Sequence, residues 1–479
     1  MADLFKRIRK HKPLVHIITN AVAINDSANF VIAAGGKPIC GYDTAEVEDI
    51  TGLCDCLMVN IGMPNDDKND GILLAVKKAK AKNIPVVLDP VGIGVSQYRQ
   101  NLVRDIISTG AVTSVRGNRL EIEELIRTNG SFPDSIAVSD DDIELFARDN
   151  HLVIMATGER DYILGDGKYE VLENGTVWQS RMTGCGCTLS ALIAAALGSC
   201  DEDDDRFDCC VDALNSYNEA AEIALYRMNQ HRKKGSGSFR TYLADVISDG
   251  FACGEDLRES LQLYAITDRD LIGKSDTYNT LEDAVVEAIS GGITMLQYRD
   301  KNIDDDEFVK QGKILAKIAK YAGIPFIIND RVELVREIGA DGVHVGQDDM
   351  AVQYARDILG NDYIIGATAH NVREAIEAQR QGADYLGVGA AFGSETKTDA
   401  RPIDLKEYQA ITAEVDIPVC AIGGIDSHNI VDLAGSGIAG VAVISGIFAQ
   451  ADICKASQIL YKKSAMFLEG GQNETQCNS

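Results

Sequence analysis

The second half of the sequence repeats one pattern eight times, a short apolar run followed by a polar or amphipathic stretch. The stretches between the runs, such as residues 282–290 and 305–322, have the apolar spacing of helices. Eight strand–helix units in roughly 220 residues predict a (β/α)₈ barrel. The predicted strands lie at residues 261–267, 294–299, 325–330, 342–346, 363–368, 385–392, 418–425 and 440–448.

Charged and glycine-rich positions follow these predicted strands, where barrel enzymes place their chemistry. Arg299 and Lys301 follow the second strand and Lys397 the sixth, so they supply positive charge at one mouth. Asp330 and Asp349 follow neighbouring strands, and two carboxylates so placed suit Mg²⁺ bridging a diphosphate. The glycine pair 423–424 and Ser445 follow the last two strands and predict a monophosphate site. The inferred reaction joins two molecules with loss of diphosphate.

The first half contains six continuous apolar runs separated by helical patterns. Strands buried on both faces with helical crossovers predict a mostly parallel α/β sheet. Most of the runs end in polar or glycine clusters, which should converge at the carboxyl edge of the sheet, where such folds bind ligands. The runs lie at residues 14–18, 37–40, 56–62, 84–92, 112–118 and 152–158, and the clusters at 19–20, 60–62, 89–92, 116–118 and 157–159.

A glycine-punctuated loop, residues 181–188, leads into an apolar helix predicted over residues 189–198. The amides from Gly184 to Cys187 would point outward at a helix N-terminus, where the dipole favours an anion. This geometry predicts a phosphate cradle with Cys187 beside the transferring group, and a thiol there is expected to have some thiolate character. The alternative is an ordinary helix cap with two small buried cysteines.

The chain is 479 residues long, which favours two large domains, predicted here at residues 1–250 and 257–470. Its net charge of −27 argues against nucleic acid or an anionic membrane as a partner. The N-terminus resembles no secretory signal and no stretch is long enough to span a membrane, so we expect a cytoplasmic protein. The twelve cysteines lack the spacing of a zinc site and are expected to be reduced, buried thiols.

Residues 261–460 resemble thiamine-phosphate synthase through the motifs at 297–301, 328–331, 342–349, 366–370, 394–397 and 422–425. The resemblance implies that Asp330 and Asp349 bind Mg²⁺. In the loop after the sixth strand, Ala390 and Gly393 stand where the family usually has prolines, which predicts a more mobile loop. The implied pyrimidine-diphosphate ligands are Gln297, Arg299, Lys301, Asn329, Thr368 and Lys397, and those of the thiazole phosphate are Ser394, Glu395, Thr396, Gly424, Ile444 and Ser445.

Residues 4–245 are similar to hydroxyethylthiazole kinase, a ribokinase relative, through the motifs at 14–20, 88–92, 116–121, 157–159, 183–187 and 237–239. The resemblance implies a ribokinase-like fold, ATP and Mg²⁺ as co-substrate and cofactor, and a trimer-based homo-oligomer. The family more often has methionine where Cys40 stands and a small residue such as alanine or threonine where Cys185 stands, so these two departures bear on the size of the pocket and on its thiol reactivity. The implied roles are catalysis for Cys187, Asn20 and Arg116, ATP binding for Arg116 and Thr157, thiazole binding for Cys40 and Gly184, and Mg²⁺ binding for Asp89 and Glu121.

Together the two resemblances imply a bifunctional enzyme of thiamine biosynthesis. The first half would phosphorylate 4-methyl-5-(2-hydroxyethyl)thiazole with ATP. The second half would couple that phosphate to hydroxymethylpyrimidine diphosphate, giving thiamine phosphate and diphosphate. The alternative is that one half, in particular the first, is a non-catalytic module that binds a ligand and regulates or assembles the other.

Overall fold

The structure is a computed structural model, and it describes residues 2–130, 138–201, 204–230, 233–249, 257–272, 278, 280–346, 352–393 and 403–469. The chain divides into two compact units, residues 1–250 and 251–479. Among the helices of the described residues, none combines the length and the apolar character needed to cross a bilayer.

The first unit is built on one eight-stranded sheet in the order β2-β1-β3-β4-β5-β6-β7-β8. The pairs from β2 to β6 are parallel, and β6-β7 and β7-β8 are antiparallel. The strands are β1 Leu14–Ile18, β2 Lys37–Cys40, β3 Cys56–Asn60, β4 Val86–Asp89, β5 Ser114–Asn118, β6 Val153–Thr157, β7 Asp161–Gly165 and β8 Lys168–Leu172.

Ten α-helices accompany this sheet in the described residues, and an apolar core of strand and helix side chains lies between the layers. Each central strand is buried on both faces, as the continuous apolar runs predict. The helices are α1 Ala2–His11, α2 Ile24–Ala33, α3 Val47–Leu53, α4 Asp66–Lys82, α5 Gln97–Ser108, α6 Arg119–Asn129, α7 Asp140–Asp149, α8 Cys185–Leu197, α9 Arg206–Gln230 and α10 Ser236–Asp249.

The second unit is a closed barrel of eight parallel strands, and each predicted apolar run overlaps one of them. The barrel closes where the last strand pairs with the first. The strands are β9 Leu263–Ile266, β10 Met295–Tyr298, β11 Phe326–Asn329, β12 Gly342–Val345, β13 Ile364–Ala369, β14 Tyr385–Gly389, β15 Val419–Ile422 and β16 Gly440–Val443.

Helices packed around this barrel bury one apolar cluster against the outer strand faces. A second cluster, which includes Tyr264, Ile327 and Tyr385, fills the interior. The helices are α11 Leu257–Ser260, α12 Arg269–Ile272, α13 Leu281–Ser290, α14 Asp305–Ala322, α15 Val335–Ile338, α16 Val352–Leu359, α17 Val372–Arg380, α18 Leu405–Glu414, α19 Ser445–Phe448, α20 Ile453–Ser464 and α21 Met466–Glu469.

One expectation about the cysteines is wrong: Cys200 and Cys209 form a disulfide. Cys200 follows the end of α8 and Cys209 lies in the first turn of α9, so a short connection brings them together. The other eight cysteines of the described residues are free, and six of these are buried.

Candidate active sites

The predicted phosphate cradle is the first turn of α8, which begins at Cys185 rather than at Leu189. Gly184 precedes the helix with φ 83°, a left-handed conformation that favours glycine. The first amides of an α-helix have no partner within the helix, so this turn offers N–H donors to an anion.

Arg116 lies against this turn. It projects from β5 and donates from Nη2 to Thr157 Oγ1 at 2.8 Å, at the end of neighbouring β6. A Cβ added at Gly186 would meet Arg116 Nη1 at 2.1 Å, so the guanidinium occupies the space that a side chain there would fill. Arg116 Nε is buried without a protein partner, which leaves one donor for a ligand. The structure therefore brings together Arg116, Thr157 and the cradle.

Cys187, the third residue of α8, lies in this first turn, is buried and receives two amide donors. Asn60 Nδ2 lies 3.2 Å from its Sγ, and Asn20 Nδ2 lies 3.7 Å away. Burial and the nearby Asp89 raise the pKa of the thiol to about 12. The expected thiolate character is thus wrong: at neutral pH the group is a thiol, because the desolvation of a buried anion outweighs the helix dipole and Arg116.

Asp89 ends β4 and is fully buried. Its Oδ2 accepts hydrogen bonds from Asn60 Nδ2 at 2.8 Å and from Ser190 Oγ at 3.2 Å, whereas its Oδ1 has no protein partner. Burial raises the pKa of this carboxyl, and Arg116 opposes the shift. A buried carboxylate oxygen without a partner fits a divalent cation, so Asp89 suits the predicted Mg²⁺.

Glu121 fits a direct metal contact less well than Asp89. Its Oε1 accepts from Gly92 N at 2.8 Å and its Oε2 from Asn118 N at 2.9 Å, the second bond being half of a capping box. Both oxygens thus hold backbone amides, and the carboxylate braces the loop after β4. In this position Glu121 can add negative charge or reach the cation through water.

The two positions expected at the thiazole belong to different elements, the end of β2 and the residue before α8. Cys40 ends the edge strand β2, beside Ile17 of β1, and is exposed. Gly184 faces Ala23, at 3.5 Å from an added Cβ, just before α2. Cys185 is buried, and its Sγ lies 2.8 Å from the hydroxyl of buried Tyr217.

Three residues at this site received no role from the sequence: Asn60, Ser190 and Lys68. Asn60 belongs to the polar cluster predicted after the third strand, which was the available signal. Ser190 was hidden in an apolar helix pattern, and Lys68 in an ordinary helical stretch. Lys68 is buried, and its Nζ donates to the carbonyl oxygens of Asn60 and Gly62.

In the barrel, a buried chain of hydrogen bonds connects two predicted ligands of the pyrimidine. Gln297 Nε2 donates to Tyr264 Oη at 2.6 Å, and Tyr264 Oη lies 2.8 Å from Tyr385 Oη. His344 bridges Tyr385 Oη at 3.1 Å and Thr368 Oγ1 at 3.0 Å. The tyrosines and His344 lie inside strands, where sequence patterns do not distinguish a polar network from core packing.

The barrel's charged positions meet at the ends of β10 and β11. Lys301 Nζ lies 3.6 Å from Asp330 Oδ2, and Asn329 is the last residue of β11. Asp330 follows with φ 64°, and its amide donates to His344 O at 3.0 Å. The backbone amide of Arg299 donates to Thr267 Oγ1 at 2.9 Å. A carboxylate beside a lysine at the mouth fits the predicted Mg²⁺–diphosphate site.

The predicted monophosphate site lies at the ends of the neighbouring strands β15 and β16. Gly424 has φ 66°, and a Cβ there would come within 2.8 Å of Gly393 O. Ile444 precedes α19, and Ser445 is its first residue. Five further predicted site residues lie outside the described residues: Asp349, Ser394, Glu395, Thr396 and Lys397.

Family models match both halves of the chain. The hydroxyethylthiazole kinase family model matches residues 5–250, and that of thiamine monophosphate synthase matches residues 263–447. The thiamine biosynthesis bifunctional protein ThiM/ThiE of Symbiobacterium thermophilum is 30% identical over 473 residues, covering 94% of this chain and 96% of that protein. The thiamine-phosphate synthase of Ruminiclostridium cellulolyticum is 44% identical over 198 residues, covering 41% of this chain and 92% of the relative.

Two solved structures are similar to the separate halves. The hydroxyethylthiazole kinase protein of Pyrococcus horikoshii is 29% identical, with a TM-score of 0.45, and the match covers 52% of this chain and 92% of that one. The thiamine phosphate pyrophosphorylase of Pyrococcus furiosus is 38% identical, with a TM-score of 0.41, and the match covers 44% of this chain and 100% of that one.

Proposed function

The chain belongs to the family of bifunctional thiamine-biosynthesis proteins that join a hydroxyethylthiazole kinase to a thiamine-phosphate synthase, and from this premise we propose how its residues perform the two reactions. The first unit phosphorylates the hydroxyl of 4-methyl-5-(2-hydroxyethyl)thiazole. The second unit joins the resulting thiazole phosphate to 4-amino-2-methyl-5-hydroxymethylpyrimidine diphosphate. Its products are thiamine phosphate and diphosphate.

In the kinase unit, the γ-phosphoryl group of ATP rests at the N-terminus of α8. The observation that carries this assignment is the guanidinium of Arg116 packed over Gly186, since it places a cation at the N-terminus of a helix, where the first amides lack partners within the helix. Arg116 and Thr157 contact the nucleotide phosphates. Charge that develops on the transferred group is stabilised by this cation and these amides.

Cys187, in the first turn of α8, and Asn20, whose Nδ2 lies 3.7 Å from the thiol, face the hydroxyl group that accepts the phosphate in this proposal. The thiol is protonated, so it acts as a hydrogen-bonding and packing group for the substrate hydroxyl and not as the base. Asn20 Oδ1 accepts from the amides of Val22 and Ala23, which fixes its Nδ2 toward Cys187. Cys40 and Gly184 border the space proposed for the thiazole ring.

Mg²⁺ is the cofactor proposed for both units. In the kinase unit the unpaired Oδ1 of Asp89 would hold it, with Glu121 reaching it through water. In the barrel Asp330 would hold it together with Asp349. When bound, the cation neutralises phosphate charge and makes diphosphate a better leaving group.

In the synthase unit, the thiazole nitrogen attacks the methylene carbon of the pyrimidine as the carbon–oxygen bond to diphosphate breaks. Arg299, Lys301 and Lys397 stabilise the departing diphosphate, and Asn329 orients it. Gln297 and Thr368, held by the Tyr264–Tyr385–His344 chain, position the pyrimidine. Gly424, Ile444 and Ser445, together with Ser394, Glu395 and Thr396, hold the thiazole phosphate.

We also propose a trimer-based homo-oligomer formed through the kinase unit. The helix α2 and the loop before it, in which Ala23 faces Gly184, present apolar side chains to solvent, with Val22 63% and Ile32 57% exposed. A second copy would cover this surface beside the proposed thiazole site. Sedimentation of the full chain tests the assembly. We also propose a cytoplasmic location, because the chain belongs to a family of thiamine-biosynthesis enzymes that act on small molecules.

The deciding experiment separates the two reactions in the full chain. Cys187→Ala should cripple phosphorylation of the thiazole alcohol and leave condensation unchanged, whereas Asp330→Ala should do the reverse. The rival function, a first unit that only binds ligand and regulates the barrel, predicts that the parent protein transfers no phosphate from ATP.

A further inference from the structure

Asn60 uses its whole side-chain amide inside the kinase site. It is fully buried, and its Nδ2 donates to Asp89 Oδ2 at 2.8 Å and to Cys187 Sγ at 3.2 Å. Its Oδ1 accepts from Asn20 Nδ2 at 3.0 Å and from Gly62 N at 2.9 Å. An amide has two donor hydrogens and two acceptor lone pairs, so every position is used. The carboxylate of Asp89 only accepts, which fixes the orientation of the amide.

Lys68 holds the backbone that carries Asn60. Its side chain is buried in the first turn of α4, and its Nζ donates to Asn60 O at 3.1 Å and to Gly62 O at 2.7 Å. The ammonium thus joins both ends of the turn 60–62. Among the described residues no carboxylate forms an ion pair with it, and burial lowers the pKa of this lysine to about 8.

The helix α4 has anchors other than this ammonium. The helix is anchored by buried Ile72, Ala75 and Val76, and its N-terminus is capped by Asn65, whose side chain accepts from the amide of Lys68. A buried cation that contacts only carbonyl groups is costly to desolvate. Both bonds from Nζ go to the turn 60–62, which carries Asn60. Removing them should let this turn shift, while the other contacts of α4 keep the helix in place.

We propose that Lys68 and Asn60 form a positioning unit that aligns Asp89 and Cys187 for phosphoryl transfer. Neither residue touches the reacting atoms. Asn60 sets the direction of the Asp89 carboxylate, leaving Oδ1 for the cation, and it sets the rotamer of Cys187 beside the acceptor. Lys68 keeps Asn60 at the depth where both bonds form. The inference rests on the kinase activity proposed above and extends it to two residues without an assigned role.

The test compares Lys68→Met with Lys68→Arg and with the matched control Lys77→Met, on the exposed face of the same helix. A misplacement of about 1 Å costs up to about a hundredfold in rate, so Lys68→Met should lower kcat for thiazole phosphorylation by about tenfold to a hundredfold. The KM values for ATP and for the thiazole alcohol should stay within about twofold, because the binding groups remain. Arginine, which can still donate to both carbonyls, should restore most of the rate, and Lys77→Met should equal the parent.

Asn60→Asp supplies an independent variant, because it replaces the donor facing Asp89 with a second carboxylate oxygen. It should lower kcat at least as much as Lys68→Met, while the circular dichroism spectrum and the melting transition of the full chain stay those of the parent. An unchanged kcat in Lys68→Met or in Asn60→Asp overturns the proposal. The proposal is also overturned if Lys68→Met raises KM without lowering kcat, or if Lys68→Arg does not restore the rate. A parent protein that phosphorylates no thiazole alcohol would instead refute the kinase function itself.

Discussion

The guanidinium of Arg116 occupies the space above Gly186, where an added Cβ would lie 2.1 Å from Nη1. In the sequence Gly186 looks like a flexible loop glycine. In the structure any larger residue at this position would collide with the guanidinium of Arg116. The absent side chain of Gly186 allows positive charge to reach the N-terminus of α8. This relationship gives the first of five predictions.

Replacing Gly186 with alanine should displace Arg116 without unfolding the protein. The atom that must move is the far end of a flexible side chain, and residue 186 has ordinary helical geometry. We expect kinase kcat to fall by about a hundredfold or more, as when one stabilising donor is removed, with an unchanged synthase rate. Gly237→Ala is the control, since nothing lies within 4 Å of its added Cβ. Full kinase activity in Gly186→Ala would remove Arg116 from the mechanism.

Asp89→Asn should nearly abolish the kinase reaction and spare condensation. The asparagine preserves shape and the bond from Ser190, but it removes the negative charge available to a cation at Oδ1. We expect a loss of about a hundredfold or more in kcat/KM and a higher Mg²⁺ requirement. Titration of the kinase rate with Mg²⁺ measures both, with Asp105→Asn on the surface as the control. An unaltered Mg²⁺ dependence would place the cation elsewhere.

The pH dependence of the kinase should show no contribution from Cys187. Because burial and Asp89 raise the pKa of the thiol to about 12, it stays protonated between about pH 6 and pH 9. Cys187→Ser should lower the rate while leaving the shape of the pH–rate profile unchanged across that window. An inflection present in the parent and lost in the serine variant would mean that a thiolate takes part.

Asp330→Asn should impair the synthase half by about a hundredfold and leave phosphorylation unchanged, because Asp330 contributes charge beside Lys301 at the proposed Mg²⁺–diphosphate site. Condensation from purified thiazole phosphate measures this effect without the kinase. Asp416→Asn, on the surface of the same barrel, is the control. Equal losses in both half-reactions would indicate misfolding, and no loss would exclude the assignment.

His344 should remain neutral well below the ordinary titration range of histidine. Its burial lowers the pKa to about 4, whereas the unfolded chain has a value near 6.5. The unfolded state thus binds the extra proton first, so this group's contribution to stability is present above about pH 6.5 and is lost as pH falls toward 4. In NMR spectra of ¹³C-histidine-labelled protein, the His344 resonance is identified as the one that the variant His344→Gln lacks. Its chemical shift should not change between about pH 7 and 5.5. A midpoint near 6.5 would contradict the buried arrangement.

Much of the fold could be predicted from the order of apolar runs. All eight barrel strands and the parallel strands β1–β6 coincide with predicted runs, since strands buried on both faces stand out in sequence. The hairpin of β7 and β8 was missed, because Tyr162 and Lys168 lie in short runs of mixed polarity. The start of α8 was placed four residues late, since two glycines at its first turn resemble a loop.

The sequence predicts which strand ends meet at the candidate sites better than it predicts the chemical state of the residues there. Strand ends locate Asp89, Arg116 and Asp330, because parallel strands bring their carboxyl ends to one edge. The state of Cys187 depends on how deeply the thiol is buried, a property that no local pattern reports. Lys68 was missed because an amphipathic helix admits a lysine at almost any position, and only the turn packed above it reveals its partners.

The most direct test of the account follows both products in one reaction of the full chain with thiazole alcohol, ATP, Mg²⁺ and pyrimidine diphosphate. The account predicts that thiazole phosphate forms and is converted to thiamine phosphate. It further predicts that Asp330→Ala stops the reaction at thiazole phosphate, and that Gly186→Ala makes thiamine phosphate only when thiazole phosphate is supplied. If the parent chain makes thiamine phosphate only from added thiazole phosphate, the account of the first unit as a kinase is contradicted.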